Sequence, residues 1–124
     1  MNFLLNPILS TSVLSGLVFI GAGLLMLKKP PKKINDFYGY RTRRSKLSQE
    51  AWDFSQAYSG NLMKNSGLAL IAFGFLSLLF GSFSIHIFII EMSAIIIGAF
   101  YPIYLTEKKL KELFDEKGRR KAVG

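Results

Sequence analysis

The sequence predicts an all-α integral-membrane protein: three transmembrane helices, with a cytoplasmic amphipathic loop between the first and second. Three observations predict it. Charged residues make up 19% of the 124-residue chain, yet residues 1–27, 65–90 and 92–106 carry none. Half of the residues are hydrophobic, 11 of them Phe, and a small soluble domain has too little interior to hide that much apolar surface. All 16 Lys and Arg fall in two segments, 28–64 and the tail after Thr106.

Crossing the hydrocarbon layer takes about 20 mostly apolar residues. The spans are expected at about 7–27, 64–83 and 85–105, the last interrupted by Glu91 alone. A cleavable signal in place of the first span needs a basic leading region, and Met1–Asn6 has no Lys or Arg. A soluble bundle helix needs a polar face, and Leu68–Phe80 offers only Gly and Ser.

Orientation follows from the cations. The 28–63 loop and the 106–124 tail are basic, while the N-terminal segment and the Gly81–His86 turn have no Lys or Arg. The positive-inside rule puts loop and tail in the cytoplasm and the N terminus outside, in a multi-pass membrane protein. The +8 net charge is then explained by anionic inner-leaflet lipid, and no nucleic-acid partner is expected.

Helices in lipid associate through close approach of small residues. Gly60, Gly67, Gly74 and Gly81 recur every seven residues; Ser12 and Gly16, and Ala94 and Gly98, are each four apart. The Gly seam reads as helix packing, with a substrate groove as the rival reading. Pro102 is expected to bend the third helix.

In the inner loop, Pro30-Pro31 ends the first helix. Ser48 is an N-cap candidate, with Glu50 facing the helix dipole. Leu47, Ala51, Phe54, Tyr58 and Leu62 then share one side of a helix that runs on into the second span. Trp52 and Tyr58 are expected as interface anchors. The tail, Glu107–Arg120, reads as a charged solvated helix in which Glu107–Lys111 attract and Glu112–Glu116 repel.

Chemistry is sparse. No Cys is present and His86, expected in the outer turn, is the single His. Thiolate sites and paired-imidazole metal sites are therefore excluded. There is no nucleophile–base pair or carboxylate cluster, so neither enzyme activity nor a metal or other cofactor is expected. Glu91, about 9 Å into the third helix, is the one ionisable group within a span. Thr11, Ser12, Ser15 and Ser77 fall at similar depth and are candidate partners, in either a ligand or proton site or a structural polar contact. In the loop, Asn35, Tyr38, Tyr40, Arg41, Thr42, Glu50, Trp52 and Gln56 lie within 22 residues. They suggest a clasp or a pocket, with Arg41 paired to Glu50 or Asp53 and Gly39 allowing close backbone approach.

Pro30-Pro31, Asn35, Gly39-Tyr40-Arg41-Thr42, Glu50, Trp52 and Gly60 resemble the signature of the SdpI family, small bacterial integral-membrane proteins named for immunity to a secreted peptide toxin. The resemblance covers roughly residues 28–75. It departs at Arg43, where many members carry Pro, and it matches only the C-terminal unit of the larger immunity protein. It implies membrane location, a cytoplasmic signature loop and self-protection, and supplies no reaction. The expected function is stoichiometric binding of a membrane-active peptide toxin, with Glu91 and the outer hydroxyls touching the peptide. A small oligomeric transporter or a signal-relay subunit, using Glu91 or the basic loop, is the alternative. A homo-oligomer is compatible with either reading.

Overall fold

The computed structural model describes residues 7–80 and 84–121. Among them the chain is all helical, in the order α1 (Pro7–Lys28), α2 (Gln49–Leu76), a short 3-10 segment (Ser77–Phe80) and α3 (Ile85–Leu113). Ser48 caps α2: its backbone is extended and its side chain accepts from Ala51 N at 3.0 Å. Ser84 caps α3 in the same way, accepting from Ile87 N. His86 therefore belongs to the first turn of α3 rather than to the turn before it.

α1 and α2 run antiparallel with their backbones in contact. A Cβ added to Gly16 would lie 2.6 Å from Gly67 O, and one added to Gly23 would lie 2.5 Å from Gly60 O. The Gly60 and Gly67 positions are thus matched by Gly23 and Gly16, and the seam packs helices as small residues allow. Gly74 is buried, and Gly81 lies outside the described residues. α3 joins more loosely: a Cβ added to Gly98 would lie 3.5 Å from Phe19 of α1 and 3.6 Å from Leu70 of α2.

Among the described residues two helices are long and apolar enough to cross a membrane: α1 through Thr11–Lys28, and α3. Only 17% and 11% of those windows are buried, unlike the core helix of a soluble protein. Their exposed side chains include Leu14, Leu17 and Val18 on α1 and Ile96, Ile97 and Phe100 on α3. Among the described residues a third such helix, expected at 64–83, is not shown. α2 is one continuous helix, but it is diluted by Asn61, Lys64, Asn65 and Ser66, and it gives way to the 3-10 segment after Leu76.

The tail also departs from expectation. The helix ends at Leu113, and Phe114 is extended. The chain then doubles back through Gly118 (φ +78), Phe114 and Arg120 form an antiparallel bridge, and Lys121 N donates to Leu113 O. Asp115 makes this hook by accepting from the N–H groups of Lys117 and Arg119, contacts that hold its carboxyl below the usual range, the Arg119 bond foremost. Pro102 lies inside α3 without ending it, and Thr106 Oγ1 donates to its carbonyl at 2.6 Å.

The apolar core is at the loop end. Tyr40, Ala51, Leu110 and Phe114 are buried together, with Met26, Phe54 and Leu113 packed around them. The amphipathic stripe of α2 thus meets the end of α3 and the hook. Phe54 stacks on Tyr58 and tilts against Phe114.

Candidate functional site

Two polar sites stand out, one at the loop end and one within the helix bundle. In the loop, Asn35 Oδ1 accepts from Phe37 N and Tyr38 N, an Asx turn that needs this side chain at this position. Tyr38 Oη donates to Lys29 O at 2.6 Å, which ties the turn to the end of α1. Gly39 follows at φ +100, where a Cβ would strike Gln56 Oε1 and Pro31 Cγ at 2.5 Å. Both the conformation and the space require glycine.

Gln56 holds the next residue with both ends of its amide. Tyr40 N donates to Gln56 Oε1 at 2.7 Å, and Gln56 Nε2 donates to Tyr40 O at 2.8 Å. Trp52 Nε1 donates to Pro31 O at 2.6 Å. Trp52 is fully buried, so it fastens the loop to α2 and is not an interface anchor.

Glu107 of α3 completes the clasp. Its Oε2 accepts from Tyr40 Oη at 2.5 Å and Thr42 Oγ1 at 2.8 Å. Burial, followed by the neighbouring Glu107 carboxylate, holds the Tyr40 phenol well above its ordinary value. Thr42 and Ser45 bond reciprocally: Thr42 N donates to Ser45 Oγ at 2.9 Å and Ser45 N to Thr42 Oγ1 at 3.2 Å. This is the geometry of a capping box, with Ser in the distal place. The loop is therefore pinned to all three helices.

The expected ion pairs are different. Arg41 donates to the carbonyls of Gly39 and Asp36, not to Glu50 or Asp53. Glu50 instead pairs with Arg120 of the hook at 2.6 Å, and Asp53 accepts from Gln49. Asp36 pairs with Lys46 at 2.8 Å, and that bond lowers its carboxyl below the usual range. Glu107 faces the loop instead of Lys111, because hydroxyl donors reach it there. Glu112 meets Lys109 at 3.5 Å, while Glu116 lies beyond the helix end.

Within the bundle, Ser12 Oγ donates to Glu91 Oε1 at 2.7 Å, joining α1 to α3. Both residues are buried. Ser77 is also buried, but its hydroxyl donates to Gly74 O in the last turn of α2. Thr11 and Ser15 are half-buried on α1, and among the described residues neither bonds to Glu91. Ala94 and Gly98 follow Glu91 on α3 and line a groove of about 400 Å³ against Ser66, Leu70 and Phe73 of α2. A smaller void is bounded by Phe73, Ser77, Ile87 and Ile90.

Sequence reasoning missed the roles of Glu107 and Ser45. Glu107 looked like a helix-surface partner of Lys111, although its place directly after the uncharged run was a signal. Thr42-x-x-Ser45 spacing was the signal for the reciprocal turn.

The comparisons with known proteins agree on one family. Residues 32–104 match the model described as the SdpI/YfhL protein family, from the Asx turn to near the end of α3. The chain is similar to a Bacillus subtilis (strain 168) protein named "Uncharacterized protein YfhL", at 40% identity over 108 residues, which cover 87% of this chain and 93% of that one. No solved structure matches.

Proposed function

We propose that this chain, which belongs to the SdpI/YfhL protein family, is a multi-pass membrane protein that protects its cell by binding a membrane-active peptide. In this reading α2, with the residues that follow it, forms the third span. The loop and hook face the cytoplasm, and the N terminus is outside. Protection is stoichiometric and needs no turnover.

The observation that carries the reading is the groove between α2 and α3. α1 and α2 are closed together by glycines, whereas α2 and α3 leave about 400 Å³ between Ser66, Leu70 and Phe73 on one side and Ala94 and Gly98 on the other. Small residues admit a peptide backbone closely, and an apolar trough takes the apolar face of a helix. Glu91 stands on α3 seven residues before Gly98, where its carboxyl is bonded to Ser12 of α1.

Expression in a peptide-sensitive bacterium tests this. Wild type should raise survival. Gly98→Leu, which fills the groove, should abolish protection at equal membrane abundance. Unchanged survival across a panel of membrane-active peptides would sink the proposal.

The burial of Glu91 favours one second reading, an oligomeric transporter with a proton-coupling carboxyl. Glu91→Gln should then abolish flux in proteoliposomes and leave folding intact.

A further inference from the structure

We infer that the signature loop is a binding site for one anionic phospholipid, whose phosphate is held by Arg41 and whose acyl chain lies along Met26, Met63 and Ile103. The inference rests on the membrane reading above and assigns the loop face a ligand.

Three observations converge on it. The first is a cavity of about 260 Å³ between the loop and the helices. Its polar residues include Arg41 and Thr42, and its apolar wall includes Met26, Met63 and Ile103. Its lining joins one cationic side chain to flexible apolar ones, as a headgroup with a chain requires.

The second is the state of Arg41. Its guanidinium is aimed by two backbone carbonyls, of Gly39 and Asp36, and among the described residues no carboxylate bonds to it. Asp36, whose charge is nearby, is bonded to Lys46. A guanidinium has five donors in a planar fork, so donors remain for a phosphate. The opposing charge at the cavity is Glu107, behind Thr42, and its Oε2 is occupied by the Tyr40 and Thr42 hydroxyls.

The third is Phe37. It is 91% exposed, the most exposed large apolar side chain among the described residues. The adjacent Tyr38 is bonded to Lys29 O, so the turn that carries Phe37 is tied to the end of α1. In the membrane reading that end lies in the headgroup layer, where an aromatic ring enters among acyl chains. Lys28, Lys29, Lys32, Lys33, Arg43 and Arg44 surround the tip in sequence, so the net field favours an anionic lipid over a zwitterionic one.

The test uses the full chain in detergent, titrated with phosphatidylglycerol or with phosphatidylcholine of the same acyl chains and read by native mass spectrometry. Wild type should retain phosphatidylglycerol roughly tenfold more tightly. Arg41→Gln should lower that affinity by about tenfold or more, the scale of a lost charge-assisted contact. Arg41→Lys, keeping charge without the fork, should fall between them. Phe37→Ser should weaken both lipids alike, and Lys109→Gln on the far helix surface should change neither. Unaltered emission from buried Trp52 certifies that each variant is folded. Equal affinity of wild type and Arg41→Gln overturns the inference. So does full displacement of the lipid by inorganic phosphate, which would make the site one for free phosphate.

The outcome is separable from the orientation proposed above. Labelling of a single cysteine at position 37 from outside intact cells would refute the topology, while the Arg41 effect in detergent would still stand.

Discussion

Tyr40 and Glu107, 67 residues apart in the chain, meet at 2.5 Å, and that bond holds the loop against the third helix. Thr42 shares the same carboxylate oxygen. Tyr40→Phe should destabilise the fold by roughly 1–3 kcal/mol, the range for a partly buried hydrogen bond to a charged group. Thr42→Val should cost a similar amount. The double variant should cost more than the sum, because each single variant leaves Glu107 Oε2 one hydroxyl donor and the double variant leaves it neither. Denaturant unfolding of the purified protein measures all three.

The same pair sets an alkaline limit. The Tyr40 phenol is raised above its ordinary value of 10.0, by burial first and then by Glu107. A group raised in the folded state contributes its full stability below its unfolded pKa. That contribution is lost as pH rises through the interval above it. Stability should therefore fall with pH above about 10 in wild type and fall less steeply in Tyr40→Phe. Tyrosinate absorbance should show one phenol that titrates only as the protein unfolds.

Asp36 acts at the other limit. Its carboxyl is lowered by the Lys46 hydrogen bond, so its contribution is present above the ordinary 3.8 and is lost as pH falls below that value. Asp36→Asn should reduce the steepness of acid unfolding. Equal acid slopes in variant and wild type would contradict the assignment.

Glycine positions on one helix should respond oppositely. Gly16→Ala places a Cβ 2.6 Å from both Gly67 O and Ile71 Cγ1. It should cost about 1–3 kcal/mol by forcing α1 and α2 apart. Gly21 has nothing within 4 Å of the added atom. Gly21→Ala should be neutral or stabilising by up to about 1 kcal/mol, through helix propensity. Thermal unfolding in detergent distinguishes the two.

Ser12→Ala removes the donor to Glu91 and should weaken the attachment of α3 by about 0.6–1.7 kcal/mol, the range for hydrogen bonds between membrane helices. Loss of protection in Glu91→Gln but not in Ser12→Ala would mean that Glu91 acts on a ligand beyond its bond to α1.

The helices were legible because apolar runs and caps are local signals. Ser48, the expected cap, precedes α2 in extended backbone, and the Pro30-Pro31 break falls just after α1. The partners in the clasp were not legible. Arg41 lies close in sequence to Glu50, and ion pairing by sign alone points there. The chain satisfies Arg41 with backbone carbonyls and gives Glu50 to Arg120, 70 residues away. The tail misled for a related reason: its charges fit a solvated helix, while Gly118 at positive φ and the fold of Phe114 into the core turn it back.

The sequence by itself determined the helical class, the family signature and the segregation of all 16 cations from the apolar runs. Each of these is written in composition or short spacing, where hydration and backbone propensity act residue by residue. Only the tertiary structure decided that Gln56 grips Tyr40, that Glu107 receives two hydroxyls and that Ser12 rather than Ser77 meets Glu91. Those choices depend on which donors and acceptors the packed helices bring within 3 Å of one another. Hydrogen bonding is short-ranged and directional, so sequence position alone leaves them open.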